Sequence, residues 1–343
     1  MRLGFVVSEL AAERPVYTTI TVALAALRRG YELWFIDLAD FAWDPDDRIR
    51  ARARSARPRP YGSDAGEDYL SDLTGATARR ERIAVDELDL LWLRSEPSFD
   101  AATRPELQSM AFAFGQAVRE RGVVVVSDPD GLARALADKL YSQRLPAELR
   151  PSTLVTCDAE EVIAFASGHP GDVVVKPLQG GAGGAVFLAR KSGEPNLRQI
   201  VDAVGRYGYV VVQEHLAAAA DGTLRLFMVD GRPLQVDGRY ALLRHVPRPG
   251  DIRSNFNVSG TIAPVELDDD TLAIADAVGP ILAADGMFLV GLDIVGDKLL
   301  EANVFSPGGL RGAERLQGVR FSDAIAAAME DKVASAHPLG GAA

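Results

Sequence analysis

Cysteine is almost missing from this sequence. Its 343 residues include one, Cys157, and only four histidines, which are scattered at 169, 215, 245 and 337. One thiol excludes a disulfide framework and any CxxC zinc site. Scattered imidazoles argue against a histidine metal cluster or a Ser/His/Asp triad. Cys157, at the entry to a predicted helix with no basic neighbour, reads as a small buried hydrophobe rather than a nucleophile. Basic residues are in deficit, 37 Lys+Arg against 48 Asp+Glu for a net charge of −11. That balance argues against general nucleic-acid binding. No uncharged stretch reaches the ~18 residues needed to span a bilayer. The opening MRLGFVVSEL carries no apolar signal-peptide core, so a cytoplasmic protein without a membrane partner is expected. The phosphate loop GxxxxGK[ST], a GxGxxG opening the first helix, HExxH and GxSxG are all absent.

What is present is ample apolar material, 48% of residues, and a length that suggests about two domains. The first third has an α/β rhythm. Leu3–Val7 reads as a strand, and Ile20, Ala23, Leu24 and Leu27 trace a helix face that stops at Gly30. Glu32–Ile36 is a second strand, predicting a parallel pair with a crossover. Strand Leu90–Leu93 follows, then a helix with Leu107, Met110, Ala111, Phe114 and Val118 on one face, ending at Gly122. The valines 123–126 close this part as a buried strand. Between Arg48 and Arg59, six arginines alternate with Ile49, Ala51, Ala53 and Ala56. An RNA-binding arm is one reading. Without interleaved aromatics, a period-2 strand with arginine on its solvent face is preferred. Residues 61–82 read as a surface loop or short helix.

From about residue 130 the pattern changes. A helix is predicted over Gly131–Leu145, then strand Thr153–Val155. Asp158 and Glu161 form a capping box opening the next helix. Strands follow at Val173–Lys176, Val186–Ala189, Tyr209–Gln213, Leu224–Val229 and Pro233–Val236. Asp-Gly at 230–231 and at 237–238 signals two tight hairpins. A helix over Asp268–Ala284 is expected to bend or split at Gly279-Pro280. Phe288–Val295 and Lys298–Glu301 form a hairpin across Gly296-Asp297. This part is α+β with antiparallel strands.

Two segments carry chemistry. In VVVKPLQGGAGGAVFLA, 173–189, Lys176 ends a strand, and Gly180, Gly181, Gly183 and Gly184 fill most of a five-residue loop. Such glycine density lets backbone N–H groups approach a phosphate chain, and the lysine adds charge. An ordinary glycine-rich hairpin is the plainer alternative. In VGLDIVGDKLLEANVFSPGG, 290–309, Glu301 and Asn303 lie two apart on one face of a strand, and Asp293 can pair across from them. Three oxygen donors without His or Cys describe a hard-cation site for Mg²⁺ or Mn²⁺, completed by phosphate and water. The plainer alternative, a solvated acidic face, fits poorly with Leu292, Ile294 and Val295 around Asp293. Arg225, Arg244 and Arg253, the last near Asn255, are candidates for holding an anionic substrate.

Together these segments resemble the ATP-grasp superfamily, and within it the bacterial glutathione synthetases. WLRSEPSFD (92–100) resembles the family's Arg-x-x-Pro-x-Phe-Asp element, ADKLYS (137–142) its Lys-Leu helix, and TLVT (153–156) its next strand. KPLQGGAGG resembles the loop KPLDGxGG, and DGTLRLFMVDGRPL (221–234) a strand with a phosphate-contacting arginine. VGLDIVGDKLLEANVFSPGG is similar to VGLDIIGDxLTEINVTSPT. The resemblance implies an N-terminal open α/β (pre-ATP-grasp) domain over 1–128, a lid-like domain over 129–212 and a catalytic domain over 213–335. It implies that Lys139 and Lys176 bind nucleotide phosphates, that Gln213, Glu214 and His215 form the adenine-side linker, and that Gly180–Gly184 closes over the triphosphate. Arg225 would contact phosphate. Arg244, Arg253 and Asn255 would hold substrate and acyl phosphate, and Asp293, Glu301 and Asn303 would bind Mg²⁺. The chain departs from the family in four places. Its glycine loop has one extra residue, and Thr223-Leu224 stands where the family has Asp-Lys. VDGRYAL is inserted before Arg244, and the Ser-Pro-Thr loop reads Ser306-Pro307-Gly308-Gly309. The implied activity is ATP-dependent joining of a carboxylate and an amine through an acyl phosphate, forming glutathione from γ-glutamylcysteine and glycine. The alternatives are an amide ligase for another amino-acid or peptide pair, or a nucleotide-binding protein without ligation. The partners implied are small-molecule substrates and further copies of the chain in a homo-oligomer.

Overall fold

The computed structural model describes residues 1–179, 185–206, 208–248 and 261–337. Gly180, Gly181, Gly183, Gly184, Arg253 and Asn255 lie outside them.

The N-terminal part runs β1 (Arg2–Val7), α1 (Thr18–Arg28), β2 (Glu32–Trp43), β3 (Ile49–Ser55), α2 (Gly66–Thr74), β4 (Arg79–Ala84), β5 (Leu90–Leu93), α3 (Pro97–Thr103), α4 (Met110–Arg119) and β6 (Val124–Val126). Its strands order as β4-β3-β2-β1-β5-β6. β2, β1, β5 and β6 are parallel, in the register Val6↔Ile36 and Leu3↔Leu90. Apolar runs such as LGFVV and LLWL are buried on both faces, as a covered parallel sheet requires. The arginine-rich stretch is β3, antiparallel to both neighbours. Ile49, Ala51 and Ala53 face the core. The arginines pair with carboxylates: Arg48 with Asp86, Arg50 with Asp44 and Asp46, Arg52 with Asp40, and Arg59 with Asp72. The 61–82 stretch is more ordered than its composition suggested. Tyr69 and Leu73 of α2 are fully buried, and RRERIA forms β4, whose exposed arginine and glutamate face water.

The middle part contains α5 (Pro129–Arg134), α6 (Asp138–Tyr141), β7 (Thr153–Thr156), α7 (Ala159–Gly168), β8 (Val173–Pro177), β9 (Phe187–Ala189), α8 (Leu197–Gly205) and β10 (Val210–Glu214), with sheet order β7-β10-β8-β9. The helix expected over 131–145 is thus two short helices. The Asp128 carboxylate caps the first, accepting from the N–H groups of Asp130 and Gly131, with Pro129 at the first helical position. Tertiary contacts fix the break. Gly131 packs so tightly on Asp285 that a Cβ would lie 1.9 Å from its carbonyl oxygen, and Tyr141 donates to the Asp285 carboxylate at 3.0 Å. The Asp158 side chain caps α7 as expected. Glu161 reaches Thr156 Oγ1 rather than the cap's own N–H. Val162, Val173, Val175, Val201 and Val212 build a small core of their own between this sheet and α7 and α8.

The last part contains β11 (Thr223–Val229), β12 (Arg232–Pro233), β13 (Gln235–Val236), β14 (Arg239–Tyr240), β15 (Leu242–Val246), β16 (Thr261–Ala263), α9 (Asp269–Ala284), β17 (Leu289–Val295), β18 (Lys298–Asn303), α10 (Leu310–Gln317) and α11 (Phe321–Ala336). The sheet runs β16-β15-β11-β17-β18. Both Asp-Gly pairs take positive φ at both positions, 48° and 74°, then 50° and 75°, the geometry of two-residue hairpins. α9 does not split at Pro280. The ring lies on the exposed side, while Gly279 packs against the backbone of Gly231 where a Cβ would meet its oxygen at 2.1 Å. The carbonyl that Pro280 leaves without its helical partner is therefore open to water, and the helix runs on. This sheet shares its core with the N-terminal one, where Trp92 meets Phe288 edge to face at 5.6 Å. Among the described residues, no helix is long and apolar enough to cross a membrane.

Candidate active site

The hairpin β17–β18 pairs Asp293 with Glu301 and Gly291 with Asn303, with a bulge after Asp293. Directly paired residues share a face. β11 adds Arg225 opposite Asp293 on its other side. Asp293 and Arg225 are buried, at 7% relative exposure each. The guanidinium donates from Nε and Nη2 to the two carboxylate oxygens, both at 2.7 Å, and from Nη1 to Gly308 O at 3.1 Å. Burial alone would weaken the Arg225 charge, but Asp293, and less closely Glu301, reverse this and raise its pKa. Asn303 Nδ2 donates to Asp293 Oδ2 at 3.1 Å. His245, buried on the same face, is pushed down to about 4 by burial and by the Arg225 charge, so it is neutral at pH 7.

Two carboxylates and one amide make a hard-oxygen donor set. Among the described residues, no trio of His, Cys, Asp or Glu gathers as a cage. The Arg225 fork uses one lone-pair position on each Asp293 oxygen and leaves others. The set therefore fits a cation of the Mg²⁺ type, which keeps positions for phosphate and water.

The residues expected to face a nucleotide lie on the middle sheet or, for Lys139, on the helix beside it. Lys176 Nζ donates to Gln213 Oε1 at 2.9 Å, and Gln213 Nε2 donates to Thr153 Oγ1 at 2.9 Å. Lys139 on α6 reaches Leu178 O at 3.0 Å, just beyond β8. Both lysines thus stand at the entry to the glycine segment. Glu214 accepts from Ser152 N, and His215 N donates to Asp172 O. These two bonds fix the chain leaving β10.

Arg244 is not brought to this group. It pairs with Leu224, on the opposite face of the sheet from Arg225, and donates to Asp221 O at 3.3 Å. Sequence reasoning assigned no role to Thr153, which orients Gln213, or to His245. It also left Arg94 unassigned, although an arginine directly following the apolar strand LLWL was a usable signal.

Comparison with known proteins shows the family. The model of the prokaryotic glutathione synthetase N-terminal domain matches residues 1–133, and that of its ATP-grasp domain matches 138–318. The glutathione synthetase of Citrobacter rodentium is 35% identical over 317 residues, 92% of this chain and 93% of that protein. The Vibrio cholerae one is 32% identical over 337 residues, 97% and 98%. Among solved structures, D-cycloserine synthetase DcsG superposes with TM-score 0.61 at 17% identity, covering 96% of this chain and all of that one. The ATP-grasp ligase PsnB, complexed with Mg and ADP, gives 0.55 at 19%, covering 96% and 98%. The fold is therefore ATP-grasp behind an N-terminal α/β domain, and the protein is an ATP-dependent ligase. More narrowly, the chain belongs to the prokaryotic glutathione synthetase family.

Proposed function

We propose that this ligase joins γ-glutamylcysteine to glycine, forming glutathione. The observation that carries the reading is the identity of 35% spread over 92% of the chain, with the Asp293, Glu301 and Asn303 donors on one sheet face. The cysteinyl carboxylate attacks the γ-phosphorus of ATP. The bond to the bridging oxygen breaks, and ADP leaves an acyl phosphate. The glycine amine then attacks the acyl carbon, expelling phosphate and losing a proton.

Like charges oppose the first step by about 4 kcal/mol per pair at ~4 Å and an effective dielectric of ~20. Lys139 and Lys176 are assigned to the nucleotide phosphates, Arg225 to the transferred group, and Gln213, Glu214 and His215 to the adenine side. Asp293, Glu301 and Asn303 would hold Mg²⁺, which when bound neutralises phosphate charge. Residues 129–212 are assigned as the lid, 213–335 as the catalytic part and 1–128 as the N-terminal domain. Gly180–Gly184, Arg253 and Asn255 retain the roles that the resemblance implies. Arg244 is assigned no substrate contact, given its face. Positioning and charge thus carry the catalysis.

A second reading, ligation of a different acid–amine pair, is favoured by Gly308-Gly309 in the loop after β18. ADP release with γ-glutamylcysteine plus glycine, beside a panel of other acids and amines, separates the two. Turnover with only another pair overturns the first reading, and no ADP with any pair overturns ligation.

A further inference from the structure

Asp285, in the turn between α9 and β17, is a buried carboxylate outside the metal-type donor set, 9% exposed. Its Oδ1 accepts from Arg134 Nη2 at 2.9 Å, and its Oδ2 from the Tyr141 hydroxyl at 3.0 Å. Arg134 ends α5 and Tyr141 ends α6, so one carboxylate holds two helices that precede it by more than 140 residues. The backbone of the same turn adds two further ties. Asp128 N donates to Gly286 O at 2.9 Å, and the Asp285 carbonyl is pressed against Gly131.

The apolar side chains agree. Leu132, Tyr141 and Leu145 are buried in one core with Leu282, Met287 and Val290, separate from the valine core of the middle sheet. α5 and α6 are therefore seated on the β11–β17–β18 sheet. α6 has four residues, a single turn, which is too short to hold its shape without tertiary support. Tyr141 gives that support. Its hydroxyl, in an apolar core, needs an acceptor, and Asp285 provides one. Burial first, and then the Asp285 carboxylate, raise the Tyr141 pKa, so the hydroxyl keeps its proton. At ~100° per residue, positions two apart on a helix point to nearly opposite sides. Tyr141 faces the core, and Lys139 Nζ on the other side reaches Leu178 O at 3.0 Å, just beyond β8.

We infer that Asp285 is a positioning residue for nucleotide binding: through the Tyr141 hydroxyl it fixes α6 and so places Lys139 at the glycine segment. It touches no phosphate itself. A lysine ammonium rides on a flexible four-carbon stem, so its placement depends on how firmly its backbone is held. Arg134 has a different task. It balances the Asp285 charge, which leaves the carboxylate paired while the tyrosine stays neutral. The inference rests on the proposed assignment of Lys139 to the nucleotide phosphates and deepens it.

A double-mutant cycle on ATP binding tests it, with Mg²⁺ and the full chain, by calorimetry and without donor or acceptor. Lys139→Met should raise the Kd for ATP at least ~10-fold, as loss of a charged hydrogen bond does. Tyr141→Phe removes one hydroxyl and leaves Asp285 paired with Arg134; it should raise Kd about 5-fold. Asp285→Asn should act in the same direction. In the Lys139→Met background each of these two changes should shift Kd by less than about 2-fold, because the lysine they act through is gone. A merely structural role would weaken ATP binding equally in both backgrounds. That result, or an unchanged Kd for Tyr141→Phe and Asp285→Asn beside a weakened Lys139→Met, overturns the inference and leaves the lysine assignment intact. If Asp285→Asn does not fold, the Tyr141→Phe cycle decides alone. If Lys139→Met binds ATP as wild type does, the lysine assignment falls and the inference with it. The cycle needs no turnover, so its outcome is independent of which acid–amine pair is joined.

Discussion

Asp293 and Arg225 face each other across β17 and β11, joined by two hydrogen bonds of 2.7 Å between a guanidinium fork and a carboxylate. One strand pairing thus sets a metal-type ligand and a phosphate-type cation in a fixed geometry. Each also satisfies the other's charge where both are buried. Removing one partner strands the other, so Arg225→Ala is expected to destabilise the fold by about 3 kcal/mol. It should also abolish measurable ligation. Denaturant unfolding and ADP release check both parts. Unchanged stability would show that the Asn303 amide, which also donates to Asp293, is enough to hold the buried carboxylate.

Glu301→Gln keeps shape but removes the charge that would hold a cation against phosphate. We expect kcat to fall at least ~100-fold, about 2.7 kcal/mol of transition-state stabilisation. Thermal melting should be nearly unchanged. Asn303→Ala should act in the same direction with a smaller effect, as it removes a neutral donor. A near wild-type rate for Glu301→Gln at saturating Mg²⁺ and ATP would remove the metal assignment.

Lys176 is oriented by Gln213, and Gln213 by Thr153. Gln213→Ala should therefore raise KM for ATP about 10-fold, of the order expected when a charged hydrogen bond of about 1.5 kcal/mol is lost. The KM for the amine acceptor should stay unchanged. Titrating the two substrates separately distinguishes this relay from general damage to the fold.

Glu13 makes a prediction about pH. Burial first, opposed by Arg94 and assisted by Asp37, raises its carboxyl from 4.5 to about 7 in the folded chain. The folded state thus binds the proton more tightly, so ionising Glu13 costs stability. That cost is absent below about pH 4.5, builds as pH rises to about 7, and is constant above. Glu13 as a whole is only partly buried, so the full cost is discounted to about 2 kcal/mol. Glu13→Gln should therefore melt higher than wild type at pH 8, with the gap closing towards pH 4.5. A constant gap across that range would show that the carboxyl does not titrate as described.

Much of the architecture was local enough to be legible in the sequence. Asp-Gly pairs specify tight hairpins because both residues tolerate positive φ, and valine runs specify covered strands. The alternation of Ile49, Ala51 and Ala53 with arginine specifies a strand with one wet face. Spacing by two likewise put Glu301 and Asn303 on one side of β18. Tertiary structure decided what depends on distant partners. The 131–145 helix broke because Gly131 and Tyr141 answer to Asp285, over 140 residues away. α9 stayed whole because Gly279 meets Gly231 and Pro280 faces water. β-Sheet register alone sent Arg244 to the face opposite Arg225. Arg94 and Glu13 come within electrostatic reach only because β1 and β5 are neighbours, so burial of their charges could not be read from sequence spacing.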